Sequence, residues 1–151
     1  MERHPKPLAA LPQIVAEYCF YFITIMATIN CLKRPDWNFA FGLLSYFMMK
    51  SIQGENYFTV EGKNVKLMLI VLNIGLLIFD IIWVFTLGSV WHGEPTHDKI
   101  IWEGFSTLHT VILTISVIII LTRIVAVIFL VWIQQTHNTQ NIDHRDPHTL
   151  H

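Results

Sequence analysis

Four long apolar stretches alternate with short polar ones along this chain. They cover residues 14–32, 37–52, 67–91 and 105–132, and the segments between them carry charges, glycines and prolines. A helix needs about 20 mainly apolar residues to cross the hydrocarbon core of a bilayer. In lipid, only helices and closed barrels satisfy their own backbone groups, and long runs without period-two alternation exclude the barrel. The expected fold class is all-α: one integral membrane bundle of four transmembrane helices.

The boundaries follow from breakers. The first run stops at Lys33-Arg34-Pro35, two charges and a proline. The second is short and closes at Lys50, a length shared by thin spans and by interfacial or re-entrant helices. Carried on to Ile52 with Lys50 snorkelling, it makes a thin span, and a three-span arrangement stays open. Residues 53–66 read as a polar loop bracketed by Gly54 and Gly62, residues 92–103 as a second loop with three acids, and residues 134–151 as a polar tail with four histidines. The N-terminus is short, broken by Pro5 and Pro7, and lacks transit-peptide character or a cleavage site, so the first run is expected to be a retained anchor. Four spans put Arg3, Lys6, Lys50, Lys63, Lys66 and Arg145 on one side, against Lys33, Arg34 and Lys99 on the other. The excess of Lys and Arg makes the side with both termini the inner one.

Composition agrees with the pattern. The chain is 53% hydrophobic and 14% charged, where soluble proteins carry roughly 25% charged residues. Its net charge of -1 comes with no basic stripe, so nucleic acid is not an expected partner. Cys19 and Cys31 are twelve residues apart on one expected helix, roughly 18 Å at the helical rise. A disulfide needs Cα atoms within about 7 Å, so these two cannot pair.

The chemistry of interest lies among the few polar residues inside the apolar runs. Asn73 and Asp80 are seven residues apart on the third, and His109, Ser116 and Arg123 repeat at the same interval on the fourth. Seven residues is close to two helical turns, so each set shares a face. With the two helices antiparallel, Asp80 lies about 12–16 Å deep from the Trp91 end and Asn73 about 23–27 Å; Arg123 lies roughly 20 Å deep from the corresponding end. Its guanidinium is therefore expected to reach Asp80, Asn73 or both. A lone charge at the bilayer centre costs at least about 2.5–3.5 kcal/mol, so pairing is the expected outcome. The first run carries Glu17 on a face with Tyr21, Thr24 and Thr28, suited to interfacial placement or helix–helix hydrogen bonding. Asp80, Arg123, Asn73, Ser116 and Glu17 are thus the expected docking residues.

A proton or ion pathway would need titratable groups reaching both sides, and one arginine with one acid is a poor relay. The histidines at 92, 97, 137, 144, 148 and 151 lack zinc-site spacing and cysteine partners, and only His109 approaches a span. Neither metal nor cofactor is expected, although bound lipids are compatible with the pattern. No catalytic triad, phosphate loop or paired-carboxylate motif occurs, so the chain is not expected to be an enzyme.

Trp37-Asn38-Phe39 followed by Gly42-Leu43-Leu44, the stretch from Leu77 through Phe79-Asp80 to Ile82, and Leu121-Thr122-Arg123 together resemble the angiotensin II type-1 receptor-associated protein family, over roughly residues 13–133. The acid and base in the last two spans are the most specific part. Here the base is arginine where the family has lysine, no proline follows it, both loops are longer, and the tail differs. The resemblance implies a non-enzymatic membrane protein that binds another membrane protein. It does not carry over the receptor, because the family's tail binds that partner and this tail does not match.

The expected function is a non-catalytic accessory subunit of a larger membrane complex, with other membrane subunits and phospholipid as partners. By analogy with small multi-span subunits, the expected host is a respiratory-chain or ATP-synthase assembly of the mitochondrial inner membrane. The alternatives are a receptor- or transporter-binding trafficking adaptor in secretory membranes, as the resemblance implies, and a small transporter or channel using Asp80 and Arg123.

Overall fold

In the computed structural model the described residues are 7–31, 36–52, 59–93 and 99–143, with side chains described over 11–31, 36–52, 59–90 and 107–136. They form four helices: α1 (Pro7–Asn30), α2 (Trp37–Ser51), α3 (Val60–Gly93) and α4 (Lys99–Asp143). Three contain stretches long and apolar enough to cross a membrane: Leu11–Asn30, Val60–Val90 and Thr107–Thr136. The all-α membrane bundle read from the apolar runs is the architecture found.

Local chemistry sets the helix starts. Asp36 sits in extended conformation before α2, and its carboxylate accepts from the backbone N–H of Asn38 at 2.9 Å. That satisfies one of the orphan donors at the helix start. Lys50 in the last turn complements the negative end of the helix dipole. The Thr59 hydroxyl accepts from Gly62 N–H at 3.1 Å ahead of α3, and Glu61 lies in the first turn.

Three helices outrun the expected boundaries. The first, α1, begins at Pro7 rather than at residue 14, with the proline at the first helical position, where its fixed φ suits the helix and its missing N–H costs nothing. At its own start α4 begins at Lys99, inside the expected second loop. The Thr59 cap starts α3 at Val60, so Lys63 and Lys66 lie on the helix rather than in a loop, and Lys66 is fully buried. Residues 53–58 of that expected loop, and 94–98 of the next, lie outside the described residues. At the other end α4 continues to Asp143, ten residues into the expected polar tail. No glycine or proline occurs between Phe105 and Asp143, and a nucleated helix propagates cheaply until something breaks it.

The helices pack as a ring in which each is antiparallel to its chain neighbour and α4 closes onto α1. The α1–α4 contact is the most extensive, followed by α1–α2 and α3–α4; α2 and α3 touch least. At 15 residues α2 rises about 22 Å, less than the roughly 30 Å hydrocarbon core. It runs alongside the C-terminal part of α1, from the level of Asn30 back to that of Glu17. Asp36 at its start bonds to Asn30, and Lys50 at its end pairs with Glu17.

Burial follows a heptad rule. On α4 the buried positions are Ile112, Ser116, Ile119, Arg123, Ala126, Leu130 and Ile133, separated alternately by four and three residues. Asn38, Gly42, Ser45, Met49 and Ile52 repeat the pattern on α2 and just past its end. This is the seam of left-handed helix pairs, with small residues letting backbones approach. A Cβ built on Gly42 would fall 2.8 Å from the Thr24 hydroxyl, so α1 and α2 are in close contact there. The apolar core joins Phe20, Ile23 and Ala27 of α1 to Leu130 and Ile133 of α4, with Leu69 and Met49 from α3 and α2. Outside, Phe47, Ile78, Phe85, Leu121 and Ile128 are each more than half exposed, a surface that hydrocarbon rather than water accepts.

Candidate functional site

The buried heptad seam is also where the polar side chains are. Asn30, Asn38, Ser45, Lys66, Asn73, Ser116 and Arg123 are all buried, and most of them join one hydrogen-bonded network crossing the four helices.

Arg123 of α4 is its centre, with 1% of its surface exposed. Its Nη1 donates to Asn73 Oδ1 on α3 at 2.9 Å, and its Nη2 donates to Asn38 Oδ1 on α2 at 2.6 Å. Its Nε stands 3.3 Å from Asp80 Oδ2. Neither of these last two atoms has a hydrogen-bond partner, so their attraction is that of an ion pair without a directed bond. The other Asp80 oxygen accepts from Asn38 Nδ2 at 2.8 Å. The Asn38 amide thus spans both members of the ion pair, accepting from the cation and donating to the anion.

The network extends from there. Asn73 donates to its own helix at Leu69 O, 2.9 Å away, and to Ser45 Oγ on α2 at 3.3 Å. On the other side Asp36 Oδ2 accepts from Asn30 Nδ2 of α1 at 3.1 Å, and that amide also donates to Ser116 Oγ of α4 at 3.3 Å. Ser116 passes its own hydrogen to Ile112 O at 2.9 Å. A guanidinium desolvated this deeply is tolerable only because amide oxygens and a carboxylate replace its water.

Of the expected docking residues, Asp80, Arg123 and Asn73 meet directly. Ser116 joins them indirectly, through Asn30, Asp36 and Asn38. Glu17 lies apart, pairing with Lys50 at 3.2 Å across the far end of the α1–α2 hairpin. Lys50 is half exposed there, also donates to the Tyr46 hydroxyl at 3.4 Å and sits 5.5 Å from that ring's centre. Thr24 and Thr28, on the same face of α1, bond back to carbonyls of their own helix.

Asn38, Asp36, Asn30 and Ser45 escaped the sequence reading. Two signals pointed to them. Asn38 is strongly polar within an apolar run, and Asp36 directly precedes that run in the position of a helix N-cap.

The chemistry open to this arrangement is narrow. Amides do not titrate in the physiological range and arginine stays protonated, so beside Arg123 the centre of the network holds a single ionisable acid, Asp80, which by itself makes no relay across the bundle. Among the described residues no group of three or more His, Cys, Asp or Glu side chains could hold a metal ion. His97, His144, His148 and His151 lie outside the described residues, as do the side chains of His92 and His137. The arrangement can fix the register and rotation of four helices, because each bond requires a particular pair of seams to face one another. Compared with protein-family models, with curated proteins and with solved structures, the chain matches none.

Proposed function

We propose that this chain is a non-catalytic membrane protein that works by binding other integral membrane proteins. The observation that carries this reading is the closure of the polar network. Arg123 is 1% exposed and bound by side chains of two neighbouring helices as well as by Asp80, which leaves the charges to dock helices rather than to conduct. What remains for function is the lipid-facing surface, where lateral association with another protein takes place.

As a constitutive accessory subunit, its host would be a respiratory-chain or ATP-synthase assembly of the mitochondrial inner membrane. A second reading, an adaptor for a receptor or transporter in secretory membranes, is favoured by one specific observation. The three segments on which the resemblance to the angiotensin II type-1 receptor-associated protein family rests are far apart in the chain, yet Asn38, Asp80 and Arg123 meet at one point.

Native purification of the tagged chain from its own membranes, with mass spectrometry of what co-migrates and fractionation of organelles, tests both. A stoichiometric complex in the mitochondrial inner membrane supports the subunit, and a substoichiometric receptor or transporter in secretory membranes supports the adaptor. A chain that migrates alone and carries an ion flux on reconstitution overturns the proposal.

A further inference from the structure

We infer that the bilayer is thinned beside α1 and α2, so that its surface steps down across the bundle at the end where these two helices join. Three hydrogen bonds set the levels. Asn30, the last residue of α1, donates to Ser116 of α4 at 3.3 Å and to the Asp36 cap of α2 at 3.1 Å. Asn38, in the first turn of α2, donates to Asp80 of α3 at 2.8 Å. From these levels the apolar stretches run on, α3 from Asp80 to Val90 and α4 from Ser116 back to Thr107. That length rises about 14 Å, and α1 and α2 stop short of it.

A flat bilayer fits neither half of the bundle. Drawn through the joined ends of α1 and α2, its surface would leave Ile82, Phe85 and Val111 in water. These side chains are 59%, 76% and 46% exposed, and apolar patches of this kind avoid water. Drawn at Val90 and Thr107, it would bring Asp36 and the connection holding Lys33 and Arg34 into hydrocarbon. Charges there are expensive, and a depth of more than two helical turns exceeds a side chain's snorkelling reach. Tilt is too small a remedy. Membrane helices lean by about 20° and at most about 40°. Across neighbouring axes about 8–10 Å apart, that is a drop of about 3–8 Å.

The exposed side chains match the step. At 15 residues α2 rises about 22 Å, and a span shorter than the roughly 30 Å hydrocarbon core draws the bilayer in. Exposed Trp37 and half-exposed Lys50 mark the two ends of an apolar α2 face that contains Phe39, Leu43 and Phe47. Beyond the joined ends of α1 and α2, the exposed hydroxyls of Thr86, Ser89 and Thr114 all donate to carbonyls of their own helix, which keeps them satisfied in lipid. The inference rests on the membrane reading and not on any protein partner.

The test is hydroxyl-radical footprinting of the unmodified chain, purified alone, in phosphatidylcholine nanodiscs that leave both membrane faces open to water. Oxidation of each residue is read by mass spectrometry and normalised to the same residue in the unfolded chain. Phe85 lies five residues beyond Asp80 and Trp37 one residue beyond Asn38, two side chains that are bonded to each other. A flat bilayer must therefore expose Phe85 at least as much as Trp37. With dioleoyl lipids the reverse is expected: Trp37 oxidised several-fold above the buried Phe20, and Phe85 close to it. With dimyristoyl lipids, whose thinner core uncovers the tips of α3 and α4, Phe85 oxidation is expected to rise toward that of Trp37. Phe85 oxidised as much as Trp37 or more in dioleoyl lipid overturns the inference. So does protection of both residues at the level of Phe20, or protection of Phe85 that shorter chains leave unchanged, which would mean that protein rather than lipid covers it.

Discussion

Asn38 Oδ1 accepts from Nη2 of Arg123 at 2.6 Å, while the other end of the same amide donates to Asp80 at 2.8 Å. A neutral side chain on the shortest helix therefore holds together an ion pair on the two longest. Its partners are 85 and 42 residues away in the chain, so the contact exists only once α2 has docked between α3 and α4.

Replacing Asn38 with leucine removes both bonds and leaves Arg123 and Asp80 each short of a partner in a dry setting. Hydrogen bonds to charged groups are worth about 1.5–3 kcal/mol in stability, with intramembrane values at the lower end. Asn38→Leu is expected to destabilise the bundle by about 1–3 kcal/mol, read from the shift of a detergent-unfolding transition. A transition unmoved from the wild type would mean that α2 does not dock through this amide.

Asp80→Asn and Arg123→Leu, made singly and then together, form a double-mutant cycle. Breaking a buried pair by removing one partner costs about 3–5 kcal/mol, because the other charge is left uncompensated. Each single variant is expected to assemble worse than the double. Strictly additive losses would show that the 3.3 Å approach carries no coupling.

Gly42→Ala probes the α1–α2 contact. The added methyl would sit 2.8 Å from Thr24 Oγ1 and 3.3 Å from both Thr24 N and Ile23 Cγ2. Overpacking of this kind costs about 1–3 kcal/mol. Thr24→Ala in the same chain removes the tightest clash and is expected to recover part of the loss, with the backbone contact preventing full recovery. Thermal stability of the two variants and the wild type in one detergent decides it.

Glu17 and Lys50 present the opposite case. Lys50 is half exposed and Glu17 about one-fifth exposed, and pairs open to solvent are screened and weak. Glu17→Gln is expected to leave the unfolding transition within experimental scatter, and the small effect that remains should vanish at high salt. A loss as large as that of Asn38→Leu would place Glu17 among the principal docking residues.

How much of the site was legible in the sequence differs by helix. Asn73 and Asp80, and Ser116 and Arg123, sit at seven-residue spacing in unmistakable apolar runs, and depth alone brought Arg123 level with both α3 residues. The α2 run offered no such guide. It is too short to declare itself a span, and Asn38 and Ser45 are seven residues apart in a stretch that could equally lie along an interface. Lys66 was hidden for another reason: with a charge at the edge of an apolar run, the boundary was drawn after it, whereas the Thr59 cap starts the helix earlier.

By itself the sequence determined that the chain is helical and lives in lipid, because that depends on run length and on backbone groups that hydrocarbon cannot satisfy, both properties of contiguous residues. It also determined which face of α3 and of α4 turns inward, since a charged group in lipid must seek protein. Only the tertiary structure decided that α2 supplies the bridging amide, that α4 closes onto α1, and that α1 and α2 stop short of the far ends of α3 and α4. Those outcomes depend on which seams meet, and seams on different helices are joined by packing in space, where separation along the chain gives no measure of distance.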